Sequence, residues 1–260
     1  VFYNNRLETI NFNEKLVSIE SKSFSNNKLL GITLPPTLVS VGSDVFRNNL
    51  LTSIELPAKV ESVGAYAFDN NLLSSIKISE KMEIINEAVF RNNRLTSIEI
   101  PANILEISSS GFAYNALQTL EIPNKLVTLR RGSFAFNKIK QVSFPKSIET
   151  IEPYTFYSNM LKKVEIPENI SIIDAYVFAK NQIVEVTIPK NIKNIGKAAF
   201  LDNKIEKAFF LGEISSIGNH AFKNNILTEL HLPESLEDIG TYAFSNNNLS
   251  KIHLNINLIN

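Results

Sequence analysis

The chain has 260 residues, with 26 Lys and Arg side chains balanced by 26 Asp and Glu, so its formal net charge is zero. This balance disfavours nucleic acid or an anionic membrane as the partner, because both attract an excess of cationic side chains. The absence of cysteine excludes disulfides, thiolate metal ligands and thiol nucleophiles. No run of about 18 apolar residues occurs, so the sequence predicts no membrane-spanning helix and no direct membrane insertion.

A phenylalanine recurs every 22 residues along the whole chain. It is followed three residues later by asparagine, and five residues later by leucine or isoleucine. Self-similarity at a fixed period of this length is typical of stacked repeat architectures. The twelve phenylalanines are Phe2, Phe24, Phe46, Phe68, Phe90, Phe112, Phe134, Phe156, Phe178, Phe200, Phe222 and Phe244.

The repeat reads F-x-x-N-x-L-x-x-I-x-I-P-x-x-I-x-x-I-G, and each part predicts a local structure. The alternation within residues 95–100 (LTSIEI) predicts a short, half-buried strand. Pro101 has no N–H for a neighbouring strand and therefore ends the ladder. Gly64 is expected to permit a turn, and residues 64–68 (GAYAF) predict a single helical or 3₁₀ turn.

A single repeat cannot bury six apolar side chains, whereas stacked repeats bury them against one another. We therefore predict one solenoid domain over residues 1–260, with about twelve rungs, which is truncated at both ends. Phe2 lacks the segment that precedes every other phenylalanine, and no phenylalanine follows in the tail after Leu254. The asparagine is expected to satisfy main-chain groups between turns. Representatives of this structural ladder are Phe68, Asn71, Phe90, Asn93, Phe112 and Asn115.

The repeat resembles the leucine-rich repeat superfamily and, within it, the BspA-like class of bacterial surface proteins, which commonly carries cysteine where this chain has asparagine. The F-x-x-N-N-x-L form is also similar to the repeat region of a pneumococcal choline-binding adhesin. The resemblance covers essentially the whole chain. It implies a leucine-rich-repeat solenoid of the right-handed β/α superhelix class, mostly β with 3₁₀ or short helical turns, and with a parallel sheet on the concave face.

The same resemblance implies a non-catalytic module that binds a host or matrix macromolecule, on an exported protein at the bacterial surface or outside the cell. We expect this fragment to be monomeric and to need no cofactor. Two alternatives stay open: a rigid spacer that presents another domain, and a glycan- or metal-binding surface. Catalysis finds no support, because the sequence has no G-x-S-x-G, Walker or H-E-x-x-H motif.

Function is expected where the repeats differ, which is at the outward positions seven and nine residues after each phenylalanine. The first half of this face combines small hydroxyl side chains with an acidic stripe of Glu55, Glu99 and Glu121. The second half carries mixed charge, one aromatic residue and two histidines. The candidate partner-binding residues are Glu55, Glu99, Glu121, Lys163, Glu165, Glu185, Phe209, His231 and His253. The alternative interpretation is a solvated sheet face without a partner.

Phe209 stands where other repeats have a small or charged residue, and Leu211 stands where most have proline. Phe209 is either an exposed binding anchor or a residue buried by a local slip of the strand register. His231 and His253 lie one repeat apart with Glu229 nearby, which suggests a metal site only weakly, and we predict none. A column of tyrosines two residues before the phenylalanine is expected to cover the convex core; it contains Tyr66, Tyr154, Tyr176 and Tyr242, with His220 in the same column.

Overall fold

The computed structural model describes residues 1–254 and shows a solenoid of parallel strands with a 22-residue repeat. The tail in which the sequence predicts a truncation falls outside the described residues. The seventeen strands of the described range are β1 (Ser18–Ile19), β2 (Ser40–Val41), β3 (Ser53–Glu55), β4 (Ser62–Val63), β5 (Ser75–Lys77), β6 (Ile84–Ile85), β7 (Glu106–Ile107), β8 (Thr128–Leu129), β9 (Thr150–Ile151), β10 (Ile172–Ile173), β11 (Glu185–Ile188), β12 (Asn194–Ile195), β13 (Lys207–Phe210), β14 (Ser216–Ile217), β15 (Glu229–Leu232), β16 (Asp238–Ile239) and β17 (Lys251–Leu254).

Two strand ladders run along the solenoid. One consists of the two-residue strands, one in each turn, and it forms the sheets β1-β2-β4, β6-β7-β8-β9 and β10-β12-β14-β16. Residues 1–254 contain eleven of these strands, which corresponds to eleven turns rather than the predicted twelve. Each of these strands lies between two consecutive phenylalanines, and twelve phenylalanines leave eleven intervals.

The other ladder occupies the predicted sheet position but is interrupted. Its strands of three or four residues pair as β3-β5, β11-β13 and β15-β17 in the described residues. In the repeats between these pairs isolated main-chain bonds join neighbouring turns at this position, as where the N–H groups of Ala116 and Gln118 donate to the carbonyl oxygens of Leu95 and Thr96, at 2.9 and 3.0 Å. In the described residues the predicted parallel sheet is therefore divided into three strand pairs.

The predicted helical turn before each phenylalanine is absent: residues 1–254 contain no α-helix or 3₁₀-helix, and so no helix that could cross a membrane. The chain instead turns through two residues of positive φ, such as Tyr66 at 61° and Asn70 at 55°. The N–H groups of Tyr66 and Phe68 donate to carbonyl oxygens of Glu87 and Val89 in the next turn, at 2.8 and 3.0 Å. The N–H groups of Ala67 and Asp69 donate within the turn, to the carbonyl oxygens of Gly64 and Tyr66 at 3.3 and 3.0 Å. Because alternate N–H groups bond to the next turn, the continuous bond pattern of a helix does not form.

The glycine that follows the second aliphatic residue is needed for close approach and not, as predicted, for an unusual φ. Among glycines of the described residues, only Gly132 has a positive φ. A Cβ atom on Gly64 would lie 2.4 Å from the main-chain nitrogen of Ser43 in the preceding turn. The missing Cβ of Gly64 therefore permits close contact between the main chains of two consecutive turns.

The core contains a continuous column of phenylalanine rings. The ring centroids of Phe68 and Phe90 lie 5.8 Å apart, those of Phe90 and Phe112 lie 5.5 Å apart, and the planes are within 20° of parallel. This is the offset stacking that aromatic rings favour. The contact repeats from Phe2 to Phe244, so the column links all the described turns.

Beside the rings, each asparagine of the ladder joins its own turn to the preceding one. The Nδ2 group of Asn93 donates to the carbonyl oxygens of Phe68 and Phe90, at 3.0 and 3.2 Å. Its Oδ1 atom accepts from the N–H of Leu73 at 3.0 Å. Asn71 and Asn115 make the equivalent bonds. Main-chain groups that no strand reaches are satisfied in this way.

The two-residue strands carry a charged cluster near the middle of the solenoid. Arg130 contacts Glu106 at 2.9 Å and Glu152 at 2.8 Å, each in a neighbouring turn. The hydrogen bond from Arg130 holds the pKa of the Glu106 carboxyl below its ordinary value, and the two carboxylates raise the pKa of Arg130. These three side chains tie three consecutive turns together electrostatically.

Candidate functional site

The candidate site is the variable face, defined by the outward side chains seven and nine residues after each phenylalanine. In β11 and β15 exposed and buried residues alternate as predicted, so that Val186 and Leu230 point inward. Of the nine predicted partner-binding residues, all are exposed except His253, which is half-buried. Five of them lie in strands, whereas Glu99, Glu121, Lys163 and Glu165 lie at the equivalent positions of turns without an assigned strand. The role of all nine in binding stays a prediction.

The acidic stripe expected in the first half is interrupted by an ion pair. The Nζ atom of Lys77 lies 2.6 Å from Glu55 in the preceding turn, and this hydrogen bond raises the pKa of Lys77. Glu99 and Glu121 remain, and they line one depression together with Thr119. The uncompensated negative charge is thus confined to two neighbouring turns.

Phe209 is exposed and in regular register. Strand β13 pairs with β11 over its full length, with Phe209 opposite Thr187, and the side chain is 45% exposed while Ala208 beside it is buried. The interpretation that a register slip buries Phe209 is therefore wrong. An exposed phenylalanine on a regular strand has no role in packing the core.

Near Phe209 the variable face forms a groove with apolar and charged walls. Val184 and Leu211 line it, 42% and 56% exposed, together with Lys163 and Glu165. Lys163 and Glu165 pair at 3.1 Å. Sequence reasoning singled out these two charged residues but not Val184, because strand alternation alone does not decide whether Val184 faces inward or outward.

At the far end of the described residues, three side chains surround one carboxylate. Glu229 Oε1 lies 2.8 Å from the Nε2 atom of His253, 3.3 Å from that of His231 and 3.4 Å from the Nζ atom of Lys251. The two imidazole rings stack at 4.0 Å. Contacts with His253 first, and then with Lys251, lower the pKa of Glu229.

Three residues of the tyrosine column, Tyr66, Tyr154 and Tyr176, are half-buried and Tyr242 is exposed, so that cover of the convex core stays a prediction. Tyr154 and Tyr176 stack on each other at 4.6 Å, and the guanidinium of Arg131 lies 4.6 Å from the Tyr154 ring. Sequence reasoning missed a second pair, Tyr114 and Phe136, which stack at 4.3 Å. The signal was available: seven repeats have asparagine at their position, two residues after the phenylalanine.

Stacked 22-residue turns with parallel strands, a buried ring column and a variable outer face define a leucine-rich repeat solenoid. The family model described as BspA type leucine rich repeat region matches residues 1–117, 84–207 and 193–260, in six copies. The chain belongs to the BspA-type leucine-rich repeat family.

Solved structures agree with this fold. A leucine-rich repeat protein from Bacteroides ovatus is 23% identical with a TM-score of 0.75, over 96% of this chain and 74% of that one. The pneumococcal vaccine antigen PcpA is 19% identical with a TM-score of 0.55, over 92% of this chain and 60% of its own. A leucine-rich cell surface protein from Faecalibacterium prausnitzii is 18% identical with a TM-score of 0.51, over 92% and 83%. No curated protein matches the chain significantly.

Proposed function

We propose that this chain is a non-catalytic protein-interaction module of an exported bacterial surface protein, and that it binds a host or matrix protein through the variable face. The exposed ring of Phe209 is the observation that carries this proposal. Aromatic side chains in partly desolvated settings are frequent centres of binding energy at protein interfaces. The family and the similar cell surface protein support the location.

The surroundings of Phe209 fit a protein partner. Apolar side chains at Val184 and Leu211 provide area to bury, while the pair Lys163 and Glu165 provides polar contacts beside it. Protein interfaces combine such an apolar centre with a polar rim. Because the chain has no net charge, it must recognise its partner through the local pattern of charged and apolar side chains and not through overall electrostatic attraction.

A rigid spacer is the second candidate, and the continuous ring column from Phe2 to Phe244 favours it. A column without a break gives a stiff module in which each turn depends on its neighbours. A spacer needs no binding face, so outward substitutions would leave all its interactions unchanged.

The test is quantitative binding of purified matrix and host-surface proteins to the immobilised chain. Phe209→Thr introduces the residue found one turn earlier, Thr187, and should weaken binding by more than about tenfold. The paired substitution Glu99→Gln with Glu121→Gln probes the acidic part of the same face. Tyr242→Ser is the matched control, because Tyr242 is an exposed aromatic residue outside the variable face.

A loss confined to the variable-face variants supports the proposal. Equal affinity in all variants, or no binding to any protein tested, overturns it in favour of the spacer. A loss that appears only with Tyr242→Ser overturns the choice of face.

A further inference from the structure

We propose that Glu229, His231 and His253 form a site for a divalent transition metal ion of the zinc type. The proposal goes beyond the interaction function and does not depend on it. It reverses the expectation from sequence, in which two histidines one repeat apart are too few ligands to indicate a site.

The strand pairing brings the three ligands together. Strands β15 and β17 pair in parallel with His231 opposite His253, so the two side chains stand beside each other on the variable face. Glu229 lies two residues before His231 on the same strand and therefore on the same face. Its carboxylate reaches both rings, at 2.8 and 3.3 Å from the Nε2 atoms.

These separations suit a tetrahedral ion. Metal–ligand bonds of about 2.0–2.2 Å place ligand atoms roughly 3.4 Å apart. One ligand atom from each of the three residues lies within 4.8 Å of the others. The two imidazole rings are stacked within 7° of parallel, so they must turn about their side-chain bonds until both ring planes meet the ion. The exposed surroundings leave the fourth position to water.

The donor chemistry also fits. Two imidazoles and one carboxylate form a ligand set found in zinc enzymes, and imidazole favours zinc, copper and nickel over magnesium or calcium. The carboxylate of Glu229 and one ring nitrogen of each histidine can each supply a lone pair to the same ion.

The histidine pair has no structural role in the solenoid. The His231 side chain is 68% exposed, and the corresponding position holds Thr187 and Glu165 in earlier turns that fold in the same way. The stacking of turns therefore does not require histidine here. Exposed residues that packing does not explain are candidates for binding.

Lys251 competes with the ion for the same carboxylate oxygen. Its Nζ atom lies 3.4 Å from Glu229 Oε1, and its side chain is 63% exposed, so that it can turn into solvent. On the other side of Glu229, the equivalent position of the preceding turn holds Lys207. Removal of Lys251 should therefore strengthen metal binding, an effect that a merely structural cluster would not show.

The experiment is a titration of the untagged chain with zinc chloride, in which binding is measured by calorimetry and by the NMR signals of the histidine rings. We expect one ion per chain and shifts confined to His231 and His253. His231→Gln and His253→Gln should each lower the affinity by more than about tenfold, since even outer-shell changes at metal sites cost ~10–100-fold. His220→Gln is the control, because His220 lies in the tyrosine column, where it stacks on Tyr242, and not on the variable face.

Lys251→Gln should raise the affinity severalfold, and it also tests the proposal if a histidine variant folds poorly. No saturable binding at millimolar zinc, unchanged affinity in both histidine variants, or a loss with His220→Gln overturns the proposal. Zinc binding is measured without a partner, and partner binding can be repeated in a chelator. The two proposals therefore fail separately.

Discussion

The side-chain oxygen of Asn137 accepts a hydrogen bond at 3.0 Å from the main-chain N–H of Leu117, one turn earlier. The amide nitrogen of the same side chain donates to the carbonyl oxygens of Phe112 and Phe134, at 3.0 and 3.1 Å. Because Asn137 is buried, water cannot replace these bonds. A single side chain thus satisfies main-chain groups of two turns.

Asn137→Ala should destabilise the protein by about 1–3 kcal/mol, because it leaves the buried N–H of Leu117 without a partner. The Phe112 carbonyl oxygen keeps the bond that the Asn115 side chain donates to it. Urea denaturation measures the change. Asn5→Ala is the control: Asn5 is exposed and its side chain donates only within its own turn. Similar losses in the two variants would contradict the role of the ladder between turns.

Gly64→Ala should lower stability strongly, because the added Cβ would lie 2.4 Å from the main-chain nitrogen of Ser43. The other atoms nearest to it are also main chain, so they cannot turn aside as a flexible side chain can. Overpacking of this kind costs about 1–3 kcal/mol or more. A Cβ on Gly31 meets nothing within 4 Å, so Gly31→Ala should be neutral or slightly stabilising. Thermal unfolding of the matched pair checks the prediction, and a destabilised Gly31→Ala variant with an unaffected Gly64→Ala variant would refute it.

Phe134→Ala should cost about 3–5 kcal/mol, as expected for a fully buried ring. Phe134 stacks between Phe112 and Phe156, at 5.5 and 5.9 Å, so its loss leaves a gap in the column. Hydrogen exchange should then increase most in the turns on both sides of residue 134. Phe209→Ala is the control and should change stability by less than about 0.5 kcal/mol, because that ring is exposed.

Stability should depend on pH through Glu106 and Arg130. The folded-state pKa of Glu106 lies below its ordinary 4.5, chiefly because Arg130 donates to it. The stabilisation is therefore complete above about pH 4.5 and disappears as the pH falls through the lower folded value. Arg130→Met should reduce stability most above about pH 4.5, and the difference from the parent protein should shrink as the pH falls below that value, measured by denaturation over a series of pH values. A difference that does not change with pH would show that packing, and not charge, explains the effect.

The fold was predictable because every repeat carries the same constraint. Phe90 or Asn93 alone would indicate little, but the same spacing in each of twelve copies requires equivalent environments and hence stacking. The outward direction of Phe209 followed from strand alternation, although the register slip could be rejected only from its pairing with Thr187.

The turn conformation was not predictable in the same way. The sequence GAYAF is compatible with a helical turn, and nothing local reveals that the N–H of Tyr66 bonds to Glu87 one turn later. The position of Gly64, directly after the second aliphatic residue of the repeat, suggested a turn in the same local way. Its actual role is visible only where the main chain of Ser43 approaches it.

Repetition alone therefore determined which side chains enter the core, because a residue type kept at every turn must meet its own copy in the next. The individual side-chain contacts between neighbouring turns were decided by the tertiary structure. The repeat spacing placed Glu229, His231 and His253 near one another, but the contact of Glu229 with the Nε2 atom of His253 at 2.8 Å depends on which rotamers fill the space between the paired strands. Rotamers are set by three-dimensional packing, which the spacing of residues in a single turn does not encode.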